Sequence, residues 1–263
     1  MKRLLTGLVL TPFFFYIVVF APDALFLAAL AAVGFICYYE FLGIAARHLP
    51  DFEYDPRRNP AGYLAGLLLL LLPQNEIILI VLFAFLMWIF ALRAKNLAHI
   101  LPFAAMAAFG VVYVFGAWKC GLSLRLMDPW WMLFATAINW TGDTFAYYGG
   151  RNFGHRKLAP LLSPGKTWAG AAASLAGTLV LGLWFLHWRF PHLTLAQGAT
   201  LCLAANCAGQ LGDLCESAIK RGAGVKDSGA SLPGHGGWLD RVDSSLFSVP
   251  VVYWLLHSGW VRP

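Results

Sequence analysis

The sequence predicts an all-α, polytopic membrane fold, and three observations carry the prediction. The chain has 263 residues, 59% of them hydrophobic and only 12% charged, where soluble domains carry about 25% charged residues. Its mean hydropathy is +0.66. The apolar residues fall in continuous runs, not in the period-two alternation of a membrane β-barrel. About nine transmembrane helices follow, at roughly 20 apolar residues for a full crossing. The chain reads as one integral membrane domain, with N-terminal helices over 1–130 and a C-terminal region over 131–263 that carries two polar loops, 150–167 and 217–244.

The runs are 4–21, 23–46, 60–73, 75–92, 99–118, 130–149, 168–187, 195–216 and 245–260. The first follows Met1-Lys2-Arg3 and stays apolar through Ala21. It resembles a signal peptide, but no A-x-A-like cleavage site follows and the next run begins at Asp23, so a retained span is expected. After the second run, loop 47–59 mixes Asp51, Glu53 and Asp55 with Arg57 and Arg58 and reads as a solvated linker. Residues 61–72 fall short of the ~20 needed to cross and read as a short, tilted or re-entrant helix. Pro73-Gln74-Asn75 separates them from the fourth run. The fifth, sixth and seventh runs are each long enough to span, and the eighth and ninth flank the loop 217–244. The cysteines, Cys37, Cys120, Cys202, Cys207 and Cys215, lie in or beside these runs without a C-x-x-C pair. They read as small buried hydrophobes, not as a zinc or disulfide framework.

Nine crossings with a cytoplasmic N-terminus sort the basic residues. Lys2, Arg3, Arg47, Arg57, Arg58, Arg93, Lys95, Arg151, Arg156, Lys157, Lys166, Lys220, Arg221, Lys226 and Arg241 face inward, and Lys119, Arg125, Arg189 and Arg262 outward. The excess is on the cytoplasmic side, as the positive-inside rule requires. The net charge of +6 therefore implies no nucleic acid.

Two helices carry polar stripes. Asn206, Gln210, Asp213, Ser217 and Lys220 recur at intervals of three or four residues, which puts them on one face. Asn139, Asp143, Tyr147 and Arg151 repeat every fourth residue. Lipid cannot satisfy such groups, so both stripes must face protein or water. For Asn139, Asn206 and Gln210, interhelical packing bonds and a cavity role both stay open. Asp143 and Asp213, as intramembrane carboxylates, are functional candidates.

The loops carry the chemistry. Asp213, Asp227, Asp240 and Asp243 supply hard oxygen ligands with no His/Cys cluster beside them, which suits Mg2+. Lys157, Lys166, Lys220, Arg221, Lys226 and Arg241 suit phosphates and developing negative charge. Pro233-Gly234-His235-Gly236-Gly237 offers backbone N–H groups to an anion, and Ser163-Pro164-Gly165-Lys166-Thr167 precedes a helix N-terminus. His235 is a proton carrier, a loop-orienting residue or a phosphate contact. No P-loop or serine elbow is present. The combination points to metal-assisted phosphoryl or nucleotidyl transfer at the cytoplasmic membrane face.

These residues resemble the phosphatidate cytidylyltransferases, or CDP-diacylglycerol synthases. The family pattern S-x-x-K-R-x-x-x-x-K-D-x-G appears as Ser217, Lys220-Arg221 and Lys226-Asp227-Ser228-Gly229. It continues with Pro233-Gly234-His235-Gly236-Gly237, Asp240-Arg241 and Asp243. Upstream, Gly142-Asp143-Thr144, Ala146-Tyr147, Gly150-Arg151, Gly154, Lys157-Leu158, Pro160, Ser163 to Thr167 and Gly170 fit as well. Ala169 stands where many members carry Glu or Gln. The likeness is dense over 139–245 and weak before residue 130.

The resemblance implies that CTP and phosphatidic acid give CDP-diacylglycerol and pyrophosphate, at a bacterial inner membrane with the site facing the cytoplasm. It implies Asp213 and Asp240 as metal ligands, with Asp243 next and Asp227 weaker. Mg2+ is expected, with K+ as a second ion, and a homodimer. Asp213, Lys220, Arg221, Lys226, His235, Asp240 and Arg241 are the expected catalytic set. Asp143, Tyr147, Arg151, Lys157, Ser163, Lys166, Thr167, Ser217, Gly236 and Gly237 are the expected substrate contacts. The rival readings are a cytidylyltransferase for another lipid phosphate, such as an isoprenoid ether lipid, a membrane transporter, or a non-catalytic lipid-binding scaffold.

Overall fold

The computed structural model describes residues 2–48, 55–72, 76–92, 96–232, 234 and 236–261, with backbone alone for 2–10 and 76–79. Each apolar run forms a helix. In order they are α1 (Lys2–Val19), α2 (Asp23–Ala46), α3 (Pro60–Leu71), α4 (Glu76–Ala91), α5 (Ile100–Gly110), a π-helical segment (Val111–Gly116) and α6 (Ala117–Met127). Then come α7 (Pro129–Phe153), α8 (Trp168–Arg189), α9 (Leu195–Gly222) and α10 (Leu239–His257).

Among the described residues, three stretches are long and apolar enough to cross a membrane: Asp23–Ala46, Leu97–Met127 and Trp168–Arg189. Less than half of each apolar window is buried, 44%, 44% and 33%. Apolar helices that leave most of their surface outside the fold are what a lipid solvent permits. Helices α7 and α9 are longer than a crossing requires but carry the polar stripes.

Helix starts follow local chemistry. Asn59 caps α3 by accepting from Ala61 N at 3.1 Å, with Pro60 in the first turn. Asp128 does the same for α7 through Trp130 N at 2.9 Å, followed by Pro129. Ahead of α9, Thr194 and Gln197 exchange backbone-to-side-chain bonds of 3.2 and 3.0 Å, a reciprocal capping box.

The structure corrects three expectations. The expected all-α chain includes a two-stranded antiparallel hairpin in loop 150–167, β1 (Lys157–Ala159) with β2 (Ser163–Thr167). Helix α9 runs on to Gly222, past the predicted end at 216. Helix α10 starts at Leu239, ahead of the predicted 245, so Asp240, Arg241 and Asp243 are helical. The reason is common to both helices. Hydropathy ends where charges begin, but the i→i−4 hydrogen-bond ladder does not.

The chain divides into two compact units. Unit one comprises Met1–Leu122 and Ile219–Arg241, and unit two Ser123–Ala218 and Val242–Pro263. In unit one, buried Tyr38 donates its hydroxyl to Ala107 O at 3.1 Å and meets Tyr63 edge-on at 5.1 Å between ring centroids. The π segment presents buried Phe115 to α2 and α3, where a Cβ at Gly34 would stand 2.8 Å from the ring. In unit two, α7 and α8 pack along their lengths. Trp131 stacks on Phe190 at 3.8 Å at one end of that pair.

Candidate active site

In unit two the α7 stripe divides by role. Asn139 is buried and donates to Ser248 Oγ at 2.8 Å and Ala135 O at 3.3 Å. Asn206, also buried, donates to Ser174 Oγ at 2.9 Å, and Gln210 donates to Asn206 Oδ1 at 2.7 Å. The bonds to Ser248 and Ser174 cross between helices, of the kind that hold polar residues in apolar bundles, and the other two lie within α7 and α9. Asn139 and Asn206 therefore serve packing, whereas Gln210 also borders a cavity.

That cavity, about 200 Å³, is lined by Asp143, Tyr147, Lys166, Thr167, Ser174, Gln210, Asp213 and Ser244, with small residues between them. The hairpin delivers two of these groups. Strand β2 ends at Thr167, whose hydroxyl accepts from Gly170 N at 3.1 Å and caps α8. Lys166, the residue before the cap, reaches Asp213 with its Nζ 2.7 Å from Oδ2. Glycine makes this closure possible: a Cβ at Gly170 would stand 2.9 Å from Ala146 O. On the other oxygen of Asp213, Ser217 donates at 3.3 Å. Arg151 donates to Tyr147 Oη at 3.4 Å.

The volume decides what fits. Sites for whole drug-sized ligands run to about 300–1,000 Å³. At about 200 Å³ the cavity has room for phosphate groups and an ion. The Lys166–Asp213 pair is about a quarter to a third exposed. Such half-solvated pairs contribute about 0–1 kcal/mol. The ammonium can therefore trade its carboxylate for a phosphate at little cost.

Asp243 belongs to unit two, where its Oδ1 accepts from Ser244 N at 2.6 Å. Lys157 and Ser163 sit in the hairpin. Among the described residues, no three or more His, Cys, Asp or Glu side chains gather into a cage.

In unit one a different arrangement surrounds loop 223–238. Lys220, at the end of α9, meets Asp240 with its Nζ 2.5 Å from Oδ1. Asp240 also accepts from Ser228 N at 2.9 and 3.1 Å and from Gly237 N at 2.8 Å. Burial opposes its charge, but the Lys220 bond and the Gly237 and Ser228 amides outweigh it and hold the carboxyl below its usual range. Gly236 adopts a left-handed φ of 80°. A Cβ there would stand 2.5 Å from Asp240 Oδ2, so glycine is needed twice over. Arg221 donates to Val225 O at 3.3 Å. Lys226 and Asp227 lie on the same loop, and Arg241 follows Asp240 in the first turn of α10. The expected site residue His235 lies outside the described residues.

One participant escaped the sequence reading. Glu40, buried in α2, accepts from Ser228 Oγ at 2.9 Å, Leu239 N at 2.9 Å, Trp238 N at 3.2 Å and Ser231 Oγ. A carboxylate in the interior of a 24-residue apolar helix, well past Asp23 in its first turn, was the available signal.

The sequence model of the cytidylyltransferase family matches residues 1–258. The chain is similar to the phosphatidate cytidylyltransferase of Bacillus subtilis, at 34% identity over 97% of both chains. It is 35% identical to that of Staphylococcus saprophyticus, over 73% of this chain and 76% of the relative. With the Haemophilus influenzae protein of the same name it shares 40% identity, over 53% of this chain and 51% of that protein.

Proposed function

The chain belongs to the cytidylyltransferase family, and on that premise we propose that it is a phosphatidate cytidylyltransferase. It joins CTP to phosphatidic acid, giving CDP-diacylglycerol and pyrophosphate. The observation that carries this reading is the Lys166–Asp213 pair in a cavity of phosphate size bordered by oxygen donors.

A phosphate oxygen of phosphatidic acid attacks the α-phosphorus of CTP, forming one P–O bond. The bond from that phosphorus to the bridging oxygen of the β-phosphate breaks, and the electron pair leaves with pyrophosphate. No covalent enzyme intermediate is needed, so the protein contributes position and charge. Lys166 turns from Asp213 to a phosphate oxygen and offsets the charge that builds on it. Thr167 and Ser174 hydroxyls and the Gln210 amide orient the phosphates. Arg221, Lys226 and Arg241 supply positive charge around loop 223–238, while Lys220 stays paired with Asp240. Asp240 fixes Lys220 and the loop backbone.

The donor set fits Mg2+. Asp213 and Asp143, with hydroxyl and amide oxygens and no sulfur or imidazole nitrogen around the cavity, match an ion that uses one or two carboxylates plus substrate phosphates. Asp213 would hold it, with Asp143 or Asp243 as the second carboxylate. When bound, Mg2+ neutralises the triphosphate and polarises its oxygens. K+ is the second ion of the proposal.

The polar face that binds CTP is cytoplasmic in this reading, with about nine crossings and the basic residues concentrated inside. The membrane is the bacterial inner membrane, and the chain acts as a homodimer. The test is pyrophosphate release by purified protein given CTP and either phosphatidic acid or an isoprenoid ether lipid phosphate. Release with phosphatidic acid is expected. Release with the ether lipid alone would transfer the assignment to that substrate.

A further inference from the structure

The clasp on loop 223–238 joins residues far apart in the chain, and its centre is Glu40. Both carboxylate oxygens are used: Oε1 accepts from Ser231 Oγ and Trp238 N, and Oε2 from Ser228 Oγ and Leu239 N. Two of these donors open α10, so a carboxylate from α2 caps a helix that begins almost two hundred residues later. Negative charge at that end also complements the helix dipole.

The surroundings are shaped to the carboxylate. A Cβ at Gly229 would stand 2.7 Å from Glu40 Oε1, and one at Gly237 would collide with Oε2 and Ser228 Oγ. Ser228 is shared, since its hydroxyl goes to Glu40 while its amide goes to Asp240. Glu40 and Asp240 thus grip the loop from two sides, and Asp240 in turn holds Lys220. All four donors lie on the loop or at the start of α10, so these bonds hold that segment to α2.

We propose that Glu40 is a positioning residue of the transfer reaction. It fixes loop 223–238 and the start of α10, and with them the places of Lys226 and Arg241. It does not touch substrate. The inference rests on the nucleotidyl-transfer reading given above.

The discriminating variant is Glu40→Gln, which keeps the side-chain volume but turns an NH2 group toward N–H and O–H donors. Using purified full-length protein in lipid nanodiscs, with CTP and phosphatidic acid, kcat should fall about 100-fold while both KM values stay within about threefold. Amide exchange at Trp238 and Leu239 should rise about tenfold or more, with α3 and α5 unchanged. The double variant Ser228→Ala, Ser231→Ala lies on the loop and should reproduce the loss. Adding E40Q to it should cost less than about threefold more, because the three side chains form one unit. Turnover of E40Q within about twofold of the parent would overturn the proposal, as would losses that multiply fully. A lowered thermal midpoint with turnover restored on cooling would also overturn it. If the parent itself releases no pyrophosphate, the functional reading fails, and amide exchange still judges whether Glu40 holds the loop.

Discussion

The cavity of unit two and the clasp of unit one both join a lysine to an aspartate, yet they are built for opposite purposes. Lys166 and Asp213 are about a quarter to a third exposed, and Asp213 has one further contact, from Ser217. Lys220 and Asp240 are 11% and 6% exposed, and Asp240 is also held by two backbone amides. A solvated pair exchanges partners cheaply. A buried pair within a hydrogen-bond network does not, because separating it leaves a charge without compensation. The difference teaches that ion pairs in the same motif should be judged by burial, not by residue type. The first pair is free to open, and the second holds its loop in one shape.

The strongest way to break this comparison is at Asp213. Asp213→Ala should lower kcat by about 1,000-fold or more, since on the proposed function it removes a metal carboxylate and with it several kcal/mol of transition-state stabilisation. Membrane insertion and thermal midpoint should persist, as read by fractionation and calorimetry. Asp240→Asn should act on stability instead. Breaking a buried ion pair by removing one charge costs about 3–5 kcal/mol, and the thermal midpoint should drop by about 10 °C. An unchanged midpoint would make the two pairs equivalent. Lys166→Ala should come next, raising the KM for CTP about tenfold while changing stability by less than about 1 kcal/mol.

Acid separates the pairs further. The folded-state pKa of Asp240 is depressed. Its contribution is therefore fully present above the unfolded value of about 3.9 and is lost as pH falls through the folded value. The midpoint should decline below about pH 4, and more steeply than in Asp240→Asn. Asp55, held down by its hydrogen bond from Arg57, shifts the same way but is exposed. Asp55→Ala should change stability by less than about 1 kcal/mol, the smallest effect of the set.

The helices were legible because long apolar runs have few alternatives. α2 was bounded at Asp23 and Ala46 from hydropathy alone. The spacing that put Gln210, Asp213 and Ser217 on one face is a property of any helix, and two of them border the cavity. What hydropathy could not reveal was structure made of polar contacts. The start of α10 at Leu239 depends on an acceptor in α2, and the hairpin at 157–167 on backbone pairing. Glu40 was hidden because its partners are contributed by the fold. The π turn at Val111–Gly116 leaves no mark in a run that is apolar throughout.

The span between Glu40 and its last donor also sets a schedule for synthesis. Sequence separations of 188 to 199 residues divide the carboxylate from its four partners. At about 5–20 residues per second, the ribosome needs roughly 10–40 s to deliver them. For that interval α2, a stretch apolar enough to enter lipid, carries a carboxyl group with none of its eventual donors. The nascent chain must keep Glu40 hydrated, protonated or sheltered by the insertion machinery. A chain truncated before Leu239 would lack the Leu239 donor permanently.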